Sequence, residues 1–179
     1  MVYLFLANGF EEIEALCVLD VLRRAGVEVK TVGVGVEVAN GSHNIPVKCD
    51  ITERELDLNS DFDMIILPGG LPGAHNLNDS AVVDAFIGRA VKEDKFICAI
   101  CAAPYILGVR GVLMGKKATC YPGFEDQLQG AICVNEGVVR DGKIITGRAM
   151  GSAIDFALEI AQALCGKETR DKLKTAIIY

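Results

Sequence analysis

The sequence lacks the features that mark several common classes of binding protein. In a chain of net charge −6, no basic run is longer than the pairs Arg23-Arg24 and Lys116-Lys117, so nucleic acid is not expected as a partner. No apolar run is long enough to span a membrane, and no membrane association is expected. There are only two histidines: His43, expected on the surface, and His75, whose loop could approach a catalytic site or simply be solvated. A Cys-His triad is therefore unsupported, and neither a metal nor another cofactor is predicted.

The rest of the composition is typical of one globular domain in a reducing compartment. With 179 residues, 51% of them hydrophobic, the chain can bury a core without a disulfide or a metal, and we interpret residues 1–179 as a single domain. The first apolar run, Val2–Ala7, is short and has no basic leader, which predicts a strand rather than a signal sequence. Seven cysteines, an odd number scattered through apolar segments, favour free thiols and a cytoplasmic location.

Short strand-like runs alternate with helical patterns along the chain. The runs are Val2–Ala7, Val27–Val34, Met64–Leu67, Phe96–Ile100 and Ala118–Cys120. This alternation predicts an α/β fold in which a mostly parallel sheet is covered by helices on both faces.

Local signals mark the ends of two helices and one hairpin. The first helix is predicted over about Glu11–Ala25 and the last long one over Ala153–Cys165, each followed by a glycine at C′. Ser152, with Asp155 three residues later, has the pattern of a capping box. The segment Val138–Ile145 predicts a β-hairpin whose Asp-Gly turn suits type I′.

Cys101 lies where a predicted strand gives way to a predicted helix. Phe96–Ile100 reads as a buried strand, and Cys101–Leu107 reads as a helix start with Pro104 in its first turn. This arrangement is typical of the sharp elbows that expose nucleophiles. Because the free N–H groups at a helix start stabilise a thiolate, we expect the pKa of Cys101 to be lowered. Most of the other cysteines, including Cys98, are interpreted as small core residues.

Glu14 is a carboxylate on an otherwise apolar helical stripe. The other positions of the stripe are Cys17, Val18, Val21, Leu22 and Ala25. If Glu14 is buried, desolvation raises its pKa, and the protonated acid can donate a hydrogen bond to a thiolate or to its oxidised form. The alternative is a solvated residue at the edge of the stripe.

Three turns are predicted to meet beyond the carboxyl ends of the strands, where open α/β sheets bind ligands. They are Asn8–Glu12, Pro68–Gly73 and the elbow at Cys101. Glycines directly after a strand leave backbone N–H groups exposed. The N–H groups of Gly70 and Ala102 could therefore form an oxyanion hole beside the sulfur.

Four separated motifs resemble the ThiJ/PfpI superfamily. They are Ala7–Glu14, Asp20–Gly26, Leu67–Gly70 with Gly73–Leu77, and Ala99–Pro104, and together they cover nearly the whole chain in order. The likeness is greatest to the branch that contains the Parkinson-disease-associated deglycase and its bacterial relatives. It implies a flavodoxin-like three-layer sandwich. It also implies that Cys101 is an oxidation-sensitive nucleophile, Glu14 its protonated partner, and Gly70 and Ala102 the oxyanion donors.

A homodimer is expected on two grounds. Ile13, Leu16 and Leu19 are apolar residues of the first helix outside its core stripe, and a helix with excess apolar surface usually has a second neighbour. The family resemblance also implies a homodimer, and it places Arg23 or Arg24 and Cys49 at or near the contact.

Two departures from the family pattern bear on the chemistry. The protease-like branch has a histidine directly after the nucleophile, where this chain has Ala102, so a cysteine peptidase is disfavoured. Human-like relatives carry a histidine before the proline of the following strand, where this chain has Tyr121-Pro122. Proton transfer would then depend on Glu14, water, Tyr121 or His75.

The resemblance implies two classes of function. In the first, which we favour, Cys101 adds to the aldehyde of a small dicarbonyl such as methylglyoxal, or to one of its adducts, and Glu14 moves the proton, as in a glyoxalase or deglycase. In the second, the protein is a non-enzymatic redox sensor or stress chaperone, and Cys101 oxidises to a sulfinate held by Glu14 and Gly70.

Overall fold

A computed structural model describes residues 1–179, and its centre is one large sheet. The eleven strands are β1 (Val2–Leu6), β2 (Val29–Gly33), β3 (Val38–Asn40), β4 (Pro46–Lys48), β5 (Ile51–Thr52), β6 (Met64–Leu67), β7 (Phe96–Ile100), β8 (Lys117–Ala118), β9 (Ile132–Cys133), β10 (Val138–Asp141) and β11 (Ile144–Gly147). Seven of them form the large sheet in the order β10-β11-β7-β6-β1-β2-β5. All neighbours in this sheet are parallel except β10 and β11. The predicted α/β fold with a mostly parallel sheet is confirmed.

Six helices surround the sheet. They are α1 (Glu12–Arg24), α2 (Gly73–Asn78), α3 (Ala81–Lys92), α4 (Pro104–Gly108), α5 (Ala153–Cys165) and α6 (Lys167–Ala176). None of them combines the length and the apolar character that crossing a lipid bilayer would require.

The core is divided into two apolar clusters, one on each face of the sheet. Alternate residues of β1 point to opposite faces, so Phe5 packs with Phe86 of α3 while Leu4 packs with Phe156 of α5. The central strands β6 and β7 are buried along their whole length, which explains their continuous apolar sequences. The two layers of helices complete the flavodoxin-like sandwich and leave the carboxyl ends of β1, β6 and β7 at one edge.

The prediction that Ala118–Cys120 joins the parallel sheet is wrong. Lys117–Ala118 pairs instead with Ile132–Cys133 in a separate two-stranded sheet. The strand that pairs with β7 on this side is β11, the second strand of the β10–β11 hairpin.

Two predictions about local geometry are also wrong. Ser152 does not cap α5 with its side chain, because a 3₁₀ turn over Met150–Ser152 leads into the helix and holds Ser152 at φ −103° and ψ 7°, outside the extended region that caps need. In the hairpin, pairing extends to Asp141 and Ile144, so Gly142 and Lys143 form the turn. Only Gly142 has a positive φ, 61°, which is the pattern of a type II′ turn rather than type I′.

Candidate active site

Cys101 forms the predicted elbow between β7 and α4, with a strained backbone. Its φ is 64°, in the left-handed region that non-glycine residues rarely adopt. Three backbone hydrogen bonds hold this conformation: Cys101 N–H donates to Gly147 O at 3.0 Å, Tyr121 N–H donates to Cys101 O at 2.8 Å, and Ala103 N–H donates to Ile100 O at 3.1 Å. The surrounding segments therefore determine the direction of the Cys101 side chain.

The turn after β6 packs directly on the turn after β1. Glu11 N–H donates to Gly69 O at 2.9 Å, and Gly73 N–H donates to Gly9 O at 3.2 Å. Gly70 has a φ of 85°, and a Cβ there would collide with the backbone of Gly9 and Glu11. Only glycine allows this close approach, which brings the start of α1 against the turn.

Glu14 is buried beside the elbow, as the first of its two interpretations requires. Its side chain is 1% exposed, and its Oε2 accepts a hydrogen bond from Gly69 N–H at 2.9 Å. A Cβ on Gly69 would lie 2.6 Å from both Glu14 Oε2 and Cys101 Cβ, so the two side chains flank this glycine. Burial raises the pKa of Glu14 to about 7, although the neighbouring Cys101 side chain and the hydrogen bond from Gly69 N–H act to lower it.

The expectation of a lowered pKa for Cys101 is wrong. Burial, followed by the negative charge of Glu14, raises the pKa of the thiol to about 12. The N–H groups of Ala102 and Gly70 do act in the expected direction and lower it, but burial and Glu14 outweigh them. Neither N–H donates to a backbone carbonyl, so both are free to face the sulfur or a bound oxygen.

Glu14 and Cys101 titrate as one pair. With one proton between them, the pair exists as a carboxylate beside a thiol or as a carboxylic acid beside a thiolate. Because each anion opposes the ionisation of the other group, the pair keeps one proton over a wide range above pH 7. A group that can exchange a proton with a close neighbour is suited to acid and base steps.

The two auxiliary candidates contribute less to this cluster. His75 is exposed, and its ring packs edge-on against Tyr105 with 5.7 Å between centroids rather than against Cys101 or Glu14. Tyr121 is 47% exposed, and its hydrogen bond to Cys101 comes from the backbone, not from the hydroxyl.

Glu11, Glu12 and His43 form a group with potential metal-ligand atoms. Glu12 already accepts hydrogen bonds from the N–H of His43 at 2.7 Å and the hydroxyl of Ser42 at 3.2 Å, and its carboxylate lies 3.0 Å from the His43 ring. Although burial raises the pKa of Glu12, these hydrogen bonds lower it to about 2. The carboxylate is therefore satisfied within the protein and anchors the loop that contains His43.

The candidate dimer residues differ in exposure. Ile13 is 51% exposed and Leu16 is partly buried, so α1 does present apolar surface. Arg23 and Arg24 are exposed and form ion pairs with acidic residues of this chain, whereas Cys49 is buried.

Two site residues were missed in the sequence. Gly69 supplies the N–H that holds Glu14, and the double glycine after β6 was the available signal. Gly147 accepts the hydrogen bond from Cys101 N–H, and it carries no signal in the sequence because the contact is made by its backbone carbonyl.

Burial of Glu14 predicts that stability falls as the pH rises. Between pH 4.5 and about 7, an unfolded chain releases this proton while the folded protein keeps it. At about 1.4 kcal/mol per pKa unit, the free energy of unfolding of the wild type should fall by about 3 kcal/mol relative to Glu14→Gln across this range. Urea unfolding at several pH values measures the difference.

The control for this experiment is Glu28→Gln, which changes an exposed glutamate. The free energy of unfolding of this variant should change with pH in the same way as that of the wild type. Parallel curves for the wild type and Glu14→Gln would mean that Glu14 does not retain its proton in the folded protein.

Comparisons with known proteins match this chain to one family model and to solved structures with the same fold. The model of the DJ-1/PfpI family matches residues 1–163. Protein dj-1beta of Drosophila melanogaster is 39% identical over 166 residues, which are 91% of this chain and 88% of the fly protein. The glutathione-independent glyoxalase DJR-1.2 of Caenorhabditis elegans is 32% identical over 165 residues, which are 91% of this chain and 87% of the nematode protein. The solved structure of oxidized Toxoplasma gondii DJ-1 superimposes with a TM-score of 0.95 at 37% identity, covering 99% of this chain and 97% of that one.

Proposed function

Because this chain belongs to the DJ-1/PfpI family, we propose that it is a cysteine-dependent enzyme that converts small dicarbonyls, or their adducts, to hydroxy acids. The observation that carries the proposal is the pair formed by Cys101 and Glu14, in which a buried carboxyl with a pKa of about 7 lies beside a thiol on a strained elbow. The similar nematode protein named as a glyoxalase supports the same class of substrate.

The first step is addition of the thiol to the aldehyde carbon of methylglyoxal. As the C–S bond forms, the carboxylate of Glu14 takes the thiol proton and makes the sulfur a better nucleophile. Negative charge then develops on the aldehyde oxygen, where the N–H groups of Gly70 and Ala102 can stabilise it. The proton held by Glu14 neutralises this oxygen and completes a hemithioacetal.

The second step is an internal redox reaction. Glu14 moves the hydrogen of the former aldehyde carbon, as a proton, to the neighbouring ketone carbon through an enediol. The aldehyde carbon is thereby oxidised to a thioester and the ketone carbon is reduced to an alcohol, so no external oxidant or reductant is needed. Water then cleaves the C–S bond, the sulfur recovers its proton, and the 2-hydroxy acid leaves. A deglycase reaction would begin from the aminocarbinol or hemithioacetal adduct instead of the free aldehyde.

The direct test is to incubate the purified protein with methylglyoxal and without glutathione. We expect one equivalent of lactate to form for each equivalent of methylglyoxal consumed. An enzymatic lactate assay and NMR measure this conversion. Absence of lactate at micromolar protein concentration over hours would overturn the proposal.

A second candidate function, a redox sensor or stress chaperone, is favoured by one further observation. Glu14 Oε1 is buried and has no hydrogen-bond partner, so it could meet an oxygen added to the Cys101 sulfur. Two equivalents of peroxide would convert the thiol to a sulfinic acid and release two waters. In that case, the protein would leave methylglyoxal unchanged, and mass spectrometry after mild peroxide treatment would find two added oxygens on Cys101 before any other cysteine.

The exposed apolar face of α1 supports a homodimer. Ile13 is 51% exposed, and Ile45 of the nearby β3–β4 hairpin region is exposed as well. We expect sedimentation to give a species of twice the chain mass of 19.1 kDa at micromolar concentration. Ile13→Asp should shift it toward the monomer, whereas Val109→Asp, at an exposed valine after α4, should not. A wild-type monomer at this concentration would contradict the prediction.

A further inference from the structure

A second cleft lies at the opposite end of the sheet from Cys101. It has a volume of about 620 Å³ and is bounded by the end of α3, the start of β7 and the turn between β10 and β11. Phe96, at its base, begins the strand whose last residue precedes Cys101. With a rise of about 3.3 Å per residue, the two places are roughly 16 Å apart, so this cleft is separate from the candidate active site.

The cleft is positively charged in a protein that is acidic overall. Four cationic residues line it, Lys95, Lys116, Arg140 and Lys143, against one carboxylate, Asp94. Lys95 is paired with Asp61 at 2.9 Å and Arg140 with Glu159 at 3.3 Å. Lys116 and Lys143 have no carboxylate within ion-pair distance.

Two of the carbonyl groups at the end of α3 that could oppose an anion in this cleft are hydrogen-bonded within the protein. The last carbonyl groups of a helix carry partial negative charge and would normally repel one. Here Lys95 N–H donates to Ala90 O at 2.9 Å and Glu93 N–H donates to Arg89 O at 2.8 Å. These carbonyl groups are therefore already satisfied by the protein.

Apolar residues line the cleft between these charges. Phe96, Ile97, Val112 and Ile144 lie there, together with Val91, which is 55% exposed. Lys143 Nζ lies 4.2 Å from the centre of the Phe96 ring, which is a cation–π distance. The cleft thus combines an apolar surface with two unpaired cations, as in sites for amphipathic small molecules.

We infer that this cleft binds a small organic anion with an apolar body, the charged group lying against Lys116 and Lys143 and the body against Val91 and Val112. Charge complementarity favours an anion, since two of the four cations that line the cleft, Lys116 and Lys143, form no ion pair. Its volume suits a ligand of two or three rings or a short acyl chain carrying one carboxylate, sulfonate or phosphate. The inference is independent of the dicarbonyl chemistry proposed for Cys101.

The test compares two probes with the same apolar body. The anion 8-anilinonaphthalene-1-sulfonate and its uncharged analogue N-phenyl-1-naphthylamine are titrated by fluorescence into the folded wild type. We expect saturable binding of the sulfonate with one site per chain and clearly weaker binding of the uncharged probe. Lys116→Glu with Lys143→Glu should lower the affinity for the sulfonate at least about tenfold and leave that for the uncharged probe within about twofold.

The matched control carries the same change in net charge outside the cleft. Lys117→Glu with Lys167→Glu alters two exposed lysines and should retain wild-type affinity for the sulfonate. If the variant with Lys116→Glu and Lys143→Glu does not fold, the variant with Lys116→Gln and Lys143→Gln, which removes the two charges without reversing them, takes its place in the test. An equal loss in both double variants, equal affinity for the two probes, or no saturable binding to the wild type would each overturn the inference.

Discussion

Replacing Cys101 with serine is expected to lower kcat/KM for methylglyoxal by about 10³-fold or more. The serine hydroxyl keeps the size and position of the side chain but is a far weaker nucleophile than sulfur, so C–O bond formation cannot substitute for the C–S bond. Any remaining activity would come from dicarbonyl that is bound near Glu14 without a covalent bond to the protein. Initial rates of lactate formation at several methylglyoxal concentrations measure the effect.

Cys98→Ala is the matched control, because Cys98 lies on β7, the strand that precedes Cys101, and is fully buried in the core. This variant should keep most of the activity and lose some stability through the lost core volume. Both variants should melt cooperatively, which shows that they fold. Equal rates for the wild type and Cys101→Ser would exclude covalent catalysis by this thiol.

Glu14→Gln is expected to lower kcat/KM by about 10²–10⁴-fold, the usual contribution of a positioned acid or base. The amide can accept the hydrogen bond from Gly69 N–H, so the turn is preserved, but it cannot take up a proton. In the wild type, the reactive form is the pair that holds one proton, and it appears as the first proton leaves with a pKa of about 7. Activity of the wild type should therefore rise through pH 7.

In Glu14→Gln this inflection near pH 7 should disappear. The rate of alkylation of Cys101 by iodoacetamide should lose this inflection as well. This rate reports on the Glu14–Cys101 pair without turnover of a substrate. Glu14→Asp, which retains a carboxyl on a shorter side chain, should recover part of the activity and an inflection. If the glutamine variant kept the pH profile of the wild type, Glu14 would have no part in proton transfer.

The elbow could be predicted from the sequence because its signals are local. An apolar run followed by small residues and Pro104 specifies a strand, a sharp turn and a helix within a few residues of Cys101. The anomaly at Glu14 was visible for a similar reason, since a carboxylate on an apolar stripe breaks a short-range pattern.

The pKa of Cys101 could not be predicted in this way. It depends on burial and on the charge of Glu14, which reaches the thiol only because the turns after β1 and β6 pack together. The N–H groups at the start of the helix are the one contribution that is local in sequence. They lower the pKa as expected, but burial and Glu14 outweigh them. The pairing of Lys117–Ala118 with Ile132–Cys133 was missed because competition between strands for the place beside β7 is decided by the whole sheet.

The left-handed backbone at Cys101 also limits how this protein can evolve. A non-glycine residue at a φ of 64° costs of order 1 kcal/mol or more, and glycine would relieve that cost while removing the thiol. Selection for stability alone would therefore favour the loss of Cys101. The protein therefore bears a cost in stability at the position where the proposed chemistry requires a thiol.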